Sequence, residues 1–316
     1  MTQSLMRDRI CRWPLLLLLA GMLAACVQQP GSARAPQGGS GKKTIVVTYS
    51  VLGALVEDLV GDTASVAVPM PNGQDPHEWE PSAKDIATIM GADLIVRNGL
   101  GLEGGMEKTL EQARQAGVKL FTASDHITVR RVGAGEGIPT GDPDQAAGAE
   151  DPHLWMDPLS VKAVVVALAA QLKADFGIDR SAQAAALAGQ LDELNAEIAG
   201  KVAGLPETNR KLVTGHESLG YFAQRYGFKL VGALIPSITS QAEVSAADLA
   251  ALKRQILSSG VKAVFTELGT PKAVAATIGT ETGARVVEVS THMLPDDGSY
   301  FTFMRNLAGA IVDALK

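Results

Sequence analysis

The sequence predicts an α/β fold in two lobes, each with a four-stranded parallel sheet flanked by helices, joined by a long backbone helix. Three observations carry this. Eight short apolar segments rich in β-branched residues recur along the chain, helix-like stretches separate them, and a polar gap divides them four and four. Apolar runs bounded by turn residues and alternating with helices are the pattern of buried parallel strands.

The first four segments are 44–50, 64–70, 92–98 and 118–124, and the second four are 211–216, 228–234, 262–268 and 284–290. Between them, Ser82 followed by Asp85 and Ser245 followed by Asp248 read as capping boxes, with Asp where Glu is usual. Pro271 suits the first turn of another helix. The gap, residues 125–152, is polar and holds five glycines, so it is expected to be a mobile surface loop. Residues 159–176 read as a helix. Residues 181–204 read as a longer one, with apolar positions at 187, 191, 194, 198 and 202 forming one stripe. That helix is placed to connect an N-terminal lobe, 44–180, to a C-terminal lobe, 205–316.

The chain has 316 residues, a formal net charge of −6, 46% hydrophobic and 4% aromatic residues. This apolar content excludes a disordered protein, and the acidic balance argues against a nucleic-acid binder. Residues 1–25 read as a secretory signal: Arg7, Arg9 and Arg12 precede an apolar run from Leu15 to Leu23, too short for a spanning helix. The run ends in Leu23-Ala24-Ala25-Cys26, which resembles the lipobox of bacterial lipoproteins, so Cys26 is expected to be acylated. Residues 26–43 are polar and rich in Gly, Ser and Pro, a flexible tether. With Cys11 in the signal and Cys26 blocked by lipid, no thiolate is left for a disulfide or a metal. Any metal must be held by His and carboxylates.

The five histidines are His77, His126, His153, His216 and His292. All but His126 follow an expected strand at its carboxyl end, or the loop after it, and that is the edge where open parallel sheets bind ligands. The phrase Asp-Pro-His-x-Trp occurs at 75–79 and again at 151–155. Proline before each His restricts the backbone, and each Trp either walls a ligand from water or packs the core. Glu78, Glu80, Asp157 and Glu217 are the nearby carboxylates expected to accept from imidazole N–H groups.

These motifs resemble those of the metal-binding lipoproteins of bacterial zinc and manganese ABC importers. The resemblance covers residues 44–316. It rests on Asp75-Pro76-His77 with Glu80-Pro81-Ser82, on His153-x-Trp155-x-Asp157-Pro158, and on Thr214-Gly215-His216 followed by Gly220-Tyr221-Phe222 and Tyr226-Gly227. Phe265-Thr266-Glu267, Glu281-Thr282-Gly283 and Ser299-Tyr300 extend it. The resemblance implies one metal ion between two lobes, with ligands at His77, His153 and His216. Many relatives place an Asp at the fourth position. Here Thr291-His292-Met293 fills that slot, which makes His292 the candidate, with Glu267 and Asp297 as competing carboxylates. It also implies delivery of the metal to an ABC permease in the cytoplasmic membrane, by a monomer anchored through Cys26 at the cell surface or in the periplasm.

Imidazole ligands favour zinc, whereas carboxylate-rich sites favour harder ions such as manganese, which makes Zn2+ the expected ion and Mn2+ the alternative. Four protein ligands would close a tetrahedral zinc site and leave no position for a substrate. A secreted zinc hydrolase is the rival, but neither His77-Glu78 nor His216-Glu217 continues to H-E-x-x-H, and no G-x-S-x-G is present. A surface adhesin or structural lipoprotein is the remaining alternative.

Overall fold

In a computed structural model, the structure describes residues 41–133, 136 and 147–316. The expected signal segment, Cys26 and the tether up to residue 40 lie outside the described residues, as do residues 134, 135 and 137–146 of the expected 125–152 loop.

β1 (Lys43–Val47) is buried over its last three residues, as a central strand must be. It pairs with β2 (Ala64–Ala67) on one side and β3 (Leu94–Arg97) on the other, and β4 (Lys119–Thr122) extends the sheet beyond β3. All three pairings are parallel. Parallel neighbours need crossovers, supplied by α1 (Ser50–Val60), α2 (Ala83–Met90) and α3 (Glu107–Gln115). The expected box at the start of α2 is formed: Asp85 N–H donates to Ser82 Oγ, and Ser82 N–H donates to the Asp85 carboxylate.

α4 (Pro158–Phe176) starts at an Asp157 cap that accepts from Leu159 N–H and ends at left-handed Gly177. α5 (Ser181–Ala203) buries Leu187, Leu191, Leu194, Ile198 and Val202, the whole stripe read from the sequence. It packs against α4 and against the last helix, α9 (Tyr300–Leu315).

In the C-terminal half, β5 (Lys211–Thr214), α6 (Gly220–Tyr226), β6 (Lys229–Ala233), α7 (Ala246–Ser259), β7 (Ala263–Thr266), α8 (Lys272–Thr282) and β8 (Arg285–Glu288) follow in order. The second capping box, Ser245 with Asp248, opens α7. Pro271 lies one residue before the first turn of α8, as its N-cap. Here the expected four-stranded sheet is corrected. The four strands form two parallel pairs, β5 with β6 and β7 with β8. β5 and β7 run side by side. The β5–β6 register slips between Leu212 and Val213. Past the end of β5, the His216 N–H donates to the Glu267 carboxylate rather than to a strand carbonyl.

Strand side chains alternate between two faces, and the core follows that alternation. Val46 and Ile95 join Ile89, Leu110 and Ala113 beneath α2 and α3. Val213 and Val264 join Leu252, Ile256 and Ile278 beneath α7 and α8. The opposite faces, with Ile45, Val47, Leu94 and Val96 from one half and Leu212, Ala263 and Phe265 from the other, meet in a single core. α1, α4, α5 and α9 fill it.

Candidate metal centre

His77, His153, His216 and His292 come together at the carboxyl ends of the strands. Each offers a ring nitrogen, and the four atoms lie within 4.8 Å of one another. His77 Nε2 is 3.2 Å from His153 Nε2, which is 3.1 Å from His216 Nε2. A tetrahedral zinc ion with ~2.0–2.1 Å bonds sets its ligands about 3.4 Å apart, so the spacing fits one ion. His126 is not in the group; it is exposed and stacks on Phe121 with ring centroids 4.5 Å apart.

The repeated phrase has a local mechanism. In both copies the Asp turns back to the His two residues on: Asp75 Oδ1 accepts from His77 N–H at 2.9 Å, and Asp151 Oδ1 accepts from His153 N–H at 2.9 Å. Short Asx turns of this kind, with the intervening proline, fix where each His leaves the backbone. The second Asp does more. Asp151 Oδ1 also lies 2.9 Å from His153 Nδ1, and Arg130 Nη1 donates to its other oxygen at 3.0 Å.

His216 follows β5 by two residues, and its Nδ1 lies 3.0 Å from Glu267 Oε1. The same carboxylate accepts from His216 N–H, from Ser218 Oγ and from the Thr291 hydroxyl. Thr291 Oγ1 in turn lies 2.9 Å from His292 Nδ1, and His292 Nε2 is buried without a hydrogen-bond partner. An ionised carboxylate only accepts, so His153 and His216 carry their protons on Nδ1. When both rings are neutral, their Nε2 lone pairs face each other at 3.1 Å. Two lone pairs at that distance repel unless a cation lies between them.

The four rings are all buried. Burial, reinforced by the neighbouring imidazoles, holds His77 and His292 well below the usual 6.5. Burial lowers His153 too, against the opposing pull of Asp151. Burial also works against charge on His216, but Glu267, Asp75 and Asp151 outweigh it and raise that group. Burial pushes Glu267 up, yet His216, His292 and the Thr291 hydroxyl together bring it from 4.5 down to about 2.

The two competing carboxylates are placed differently. Glu267 is buried behind His216 and is spent on hydrogen bonds, outside the converging group. Asp297 is exposed and accepts from Ser299 N–H and the Thr302 hydroxyl. The four carboxylates expected to support the imidazoles do not do so. Glu78 and Glu80 are exposed, Asp157 caps α4 and pairs with Arg225, and Glu217 is buried with Oε1 unpartnered. Asp151 and Glu267 support them instead. Asp151 was visible in the repeated phrase, two residues before its His; nothing in the sequence marked Thr291 apart from its place beside His292.

Trp155 walls the site. Its ring lies 5.3 Å from that of His153 and 5.5 Å from that of His292, edge to face. Trp79, half-buried, packs on the core instead. One more contact joins the loops that carry His77 and His292. Asn72 Nδ2 donates to the Leu294 carbonyl at 3.0 Å, and Leu294 N–H donates to Asn72 Oδ1 at 2.9 Å.

Comparison with known proteins places this geometry in context. The model of the family described as zinc-uptake complex component A, periplasmic, matches residues 45–314. The chain is 27% identical over 317 residues to the manganese-binding lipoprotein MntA of Halalkalibacterium halodurans, covering 98% of this chain and 99% of that one. It is 30% identical over 326 residues to the zinc-binding protein TroA of Treponema pallidum, covering 98% and 99%. The solved structure of the periplasmic zinc-binding protein TroA from Treponema pallidum superposes with a TM-score of 0.73 at 27% identity, covering 87% of this chain and 99% of that one.

Proposed function

Because the chain belongs to the zinc-uptake component A family, whose members are metal-binding transport proteins and not enzymes, we propose that it captures zinc outside the cytoplasmic membrane and hands it to an ABC permease. His77, His153, His216 and His292 are the ligands, each through Nε2. The stretches 44–180 and 205–316 act as the lobes on either side of the ion, bridged by 181–204. The protein works as a monomer, held to the membrane by lipid on Cys26, at the cell surface or in the periplasm.

The observation that carries this reading is the convergence of four buried imidazoles with no carboxylate among them in the described residues. Imidazole suits zinc better than manganese, and four protein ligands close the coordination shell, as a carrier requires and a catalyst does not. Manganese is the second reading. It draws support from the likeness to MntA and from Glu267, a buried carboxylate touching a candidate ligand and the loop of another.

Native mass spectrometry separates the two. The chain from about residue 42 onward is stripped with chelator, then offered zinc and manganese together. One bound zinc is expected. One bound manganese would mean that a carboxylate, Glu267 or Asp297, replaces His292 in the shell. No bound metal would remove the carrier reading and leave a structural lipoprotein.

A further inference from the structure

The carrier reading leaves open what aims His292, and this inference rests on that reading. His153 and His216 each have a carboxylate on Nδ1, at 2.9 and 3.0 Å. His292 has none; its Nδ1 meets only the hydroxyl of the preceding residue, at 2.9 Å. We infer that Thr291 is a positioning residue that passes the hold of the Glu267 carboxylate on to His292, so that one carboxylate orients two of the four imidazoles.

The donor count leaves no other arrangement. Thr291 has one hydroxyl proton, and the Glu267 carboxylate beside it can only accept. The proton therefore goes to Glu267, and the Thr291 oxygen is left as an acceptor toward His292. His292 must then donate from Nδ1, which frees the lone pair on Nε2, the buried atom without a partner. Thr291 itself is held from both sides. Its carbonyl accepts from Trp155 Nε1–H at 2.8 Å while its hydroxyl is tied to Glu267. Almost wholly buried, it has no water to take over either role.

The test compares Thr291→Val, which keeps the shape and removes the hydroxyl, with Thr291→Ser, which keeps the hydroxyl. The whole chain is stripped with chelator and titrated with zinc against a competing chelator, then with cobalt(II), whose visible absorption reports tetrahedral coordination. Thr291→Val is expected to weaken zinc binding by about 10–100-fold, the usual cost of removing a hydrogen-bond partner from a ligating imidazole, and to weaken the tetrahedral cobalt bands. Thr291→Ser is expected to restore both. In a His292→Ala background, Thr291→Val is expected to cost nothing further, since residues acting through one another are not additive. Unchanged zinc affinity and cobalt bands in Thr291→Val would overturn the inference. So would a Thr291→Ser variant as weak as Thr291→Val, or fully additive losses in the double variant. Failure of the unaltered protein to bind either ion would instead overturn the carrier reading.

Discussion

The indole Nε1–H of Trp155 donates to the backbone carbonyl of Thr291 at 2.8 Å, across 136 residues of chain. The bond ties the turn that follows His153 to the turn that presents His292. A second bond closes behind it, from the Tyr300 hydroxyl at the start of α9 to the Trp155 carbonyl, also at 2.8 Å. Trp155 is thus both wall and strut of the site, and its environment will change when a cation binds among the imidazoles. Zinc is expected to alter the tryptophan emission of the unaltered chain and of Trp79→Phe, and to leave that of Trp155→Phe unchanged in a fluorescence titration. Trp155→Phe should also cost about 1–3 kcal/mol in urea unfolding, because a buried carbonyl loses its donor.

Zinc stabilisation should depend on pH with a definite sign. The ion requires neutral rings. His216 is raised above 6.5, so it takes up a proton first as the pH falls, ahead of the lowered His77, His153 and His292. The rise in melting temperature produced by zinc is therefore expected to shrink between pH 7.5 and 5.5; a constant rise would contradict the four-imidazole site. Without metal, the contributions oppose each other. The three lowered groups give stability that is present above 6.5 and lost as pH falls through their native values; His216 gives stability present below 6.5 and lost as pH rises through its own. Substituting His77 with Gln removes one of the three, and its metal-free melting temperature should fall less steeply on acidification than that of the unaltered chain.

Glu217 offers a test of burial. It sits beside His216 with one oxygen unpartnered among the described residues, and burial is the main cause of its rise from 4.5 to about 7. A carboxyl raised in the folded state gives stability present below 4.5 and lost as pH rises toward 7. Glu217→Gln keeps the shape without the charge. It should stabilise the metal-free protein by about 2–3 kcal/mol at pH 8 and by little at pH 4.5, measured by chemical unfolding at the two values.

The pair of bonds between Asn72 and Leu294 spans the two loops that bring in His77 and His292. Asn72→Ala removes both bonds, together with the one Asn72 Oδ1 accepts from Ser50 Oγ, and alters none of the four histidines. Zinc release into excess chelator, followed by stopped flow, is expected to accelerate about tenfold, the weight of one to two part-buried hydrogen bonds. Equal release rates would show that the loops are held elsewhere.

The elements of the fold were largely legible. Seven of the eight apolar segments contain their strand and β1 begins one residue before its segment, both capping boxes are made, and the α5 stripe is buried residue for residue. Strand pairing was not legible. The segments around β5 and β7 are apolar on both faces, so no pattern of in and out specifies which edges bond, and the slip between Leu212 and Val213 has no signature in sequence. In the site, the four converging histidines stood out because His is scarce and each follows a strand end or its loop. Their supports did not. Glu78 and Glu217 are neighbours of His77 and His216 in the chain, but the groups that touch the rings of His153 and His216 are Asp151, two residues back, and Glu267, 51 residues on. A hydrogen-bond partner chosen by tertiary packing leaves no mark at fixed spacing.

The core that α1, α4, α5 and α9 fill is common to both halves. A molecule built this way has no slack seam along which its halves could swing apart without exposing apolar surface. Loaded and empty forms should therefore differ in stiffness more than in outline. Small-angle scattering would give nearly one radius for both, while amide exchange around 72–77 and 290–294 would slow on loading. Whatever distinguishes the filled carrier from the empty one must then sense how firmly those two loops are held, and not how wide the molecule stands.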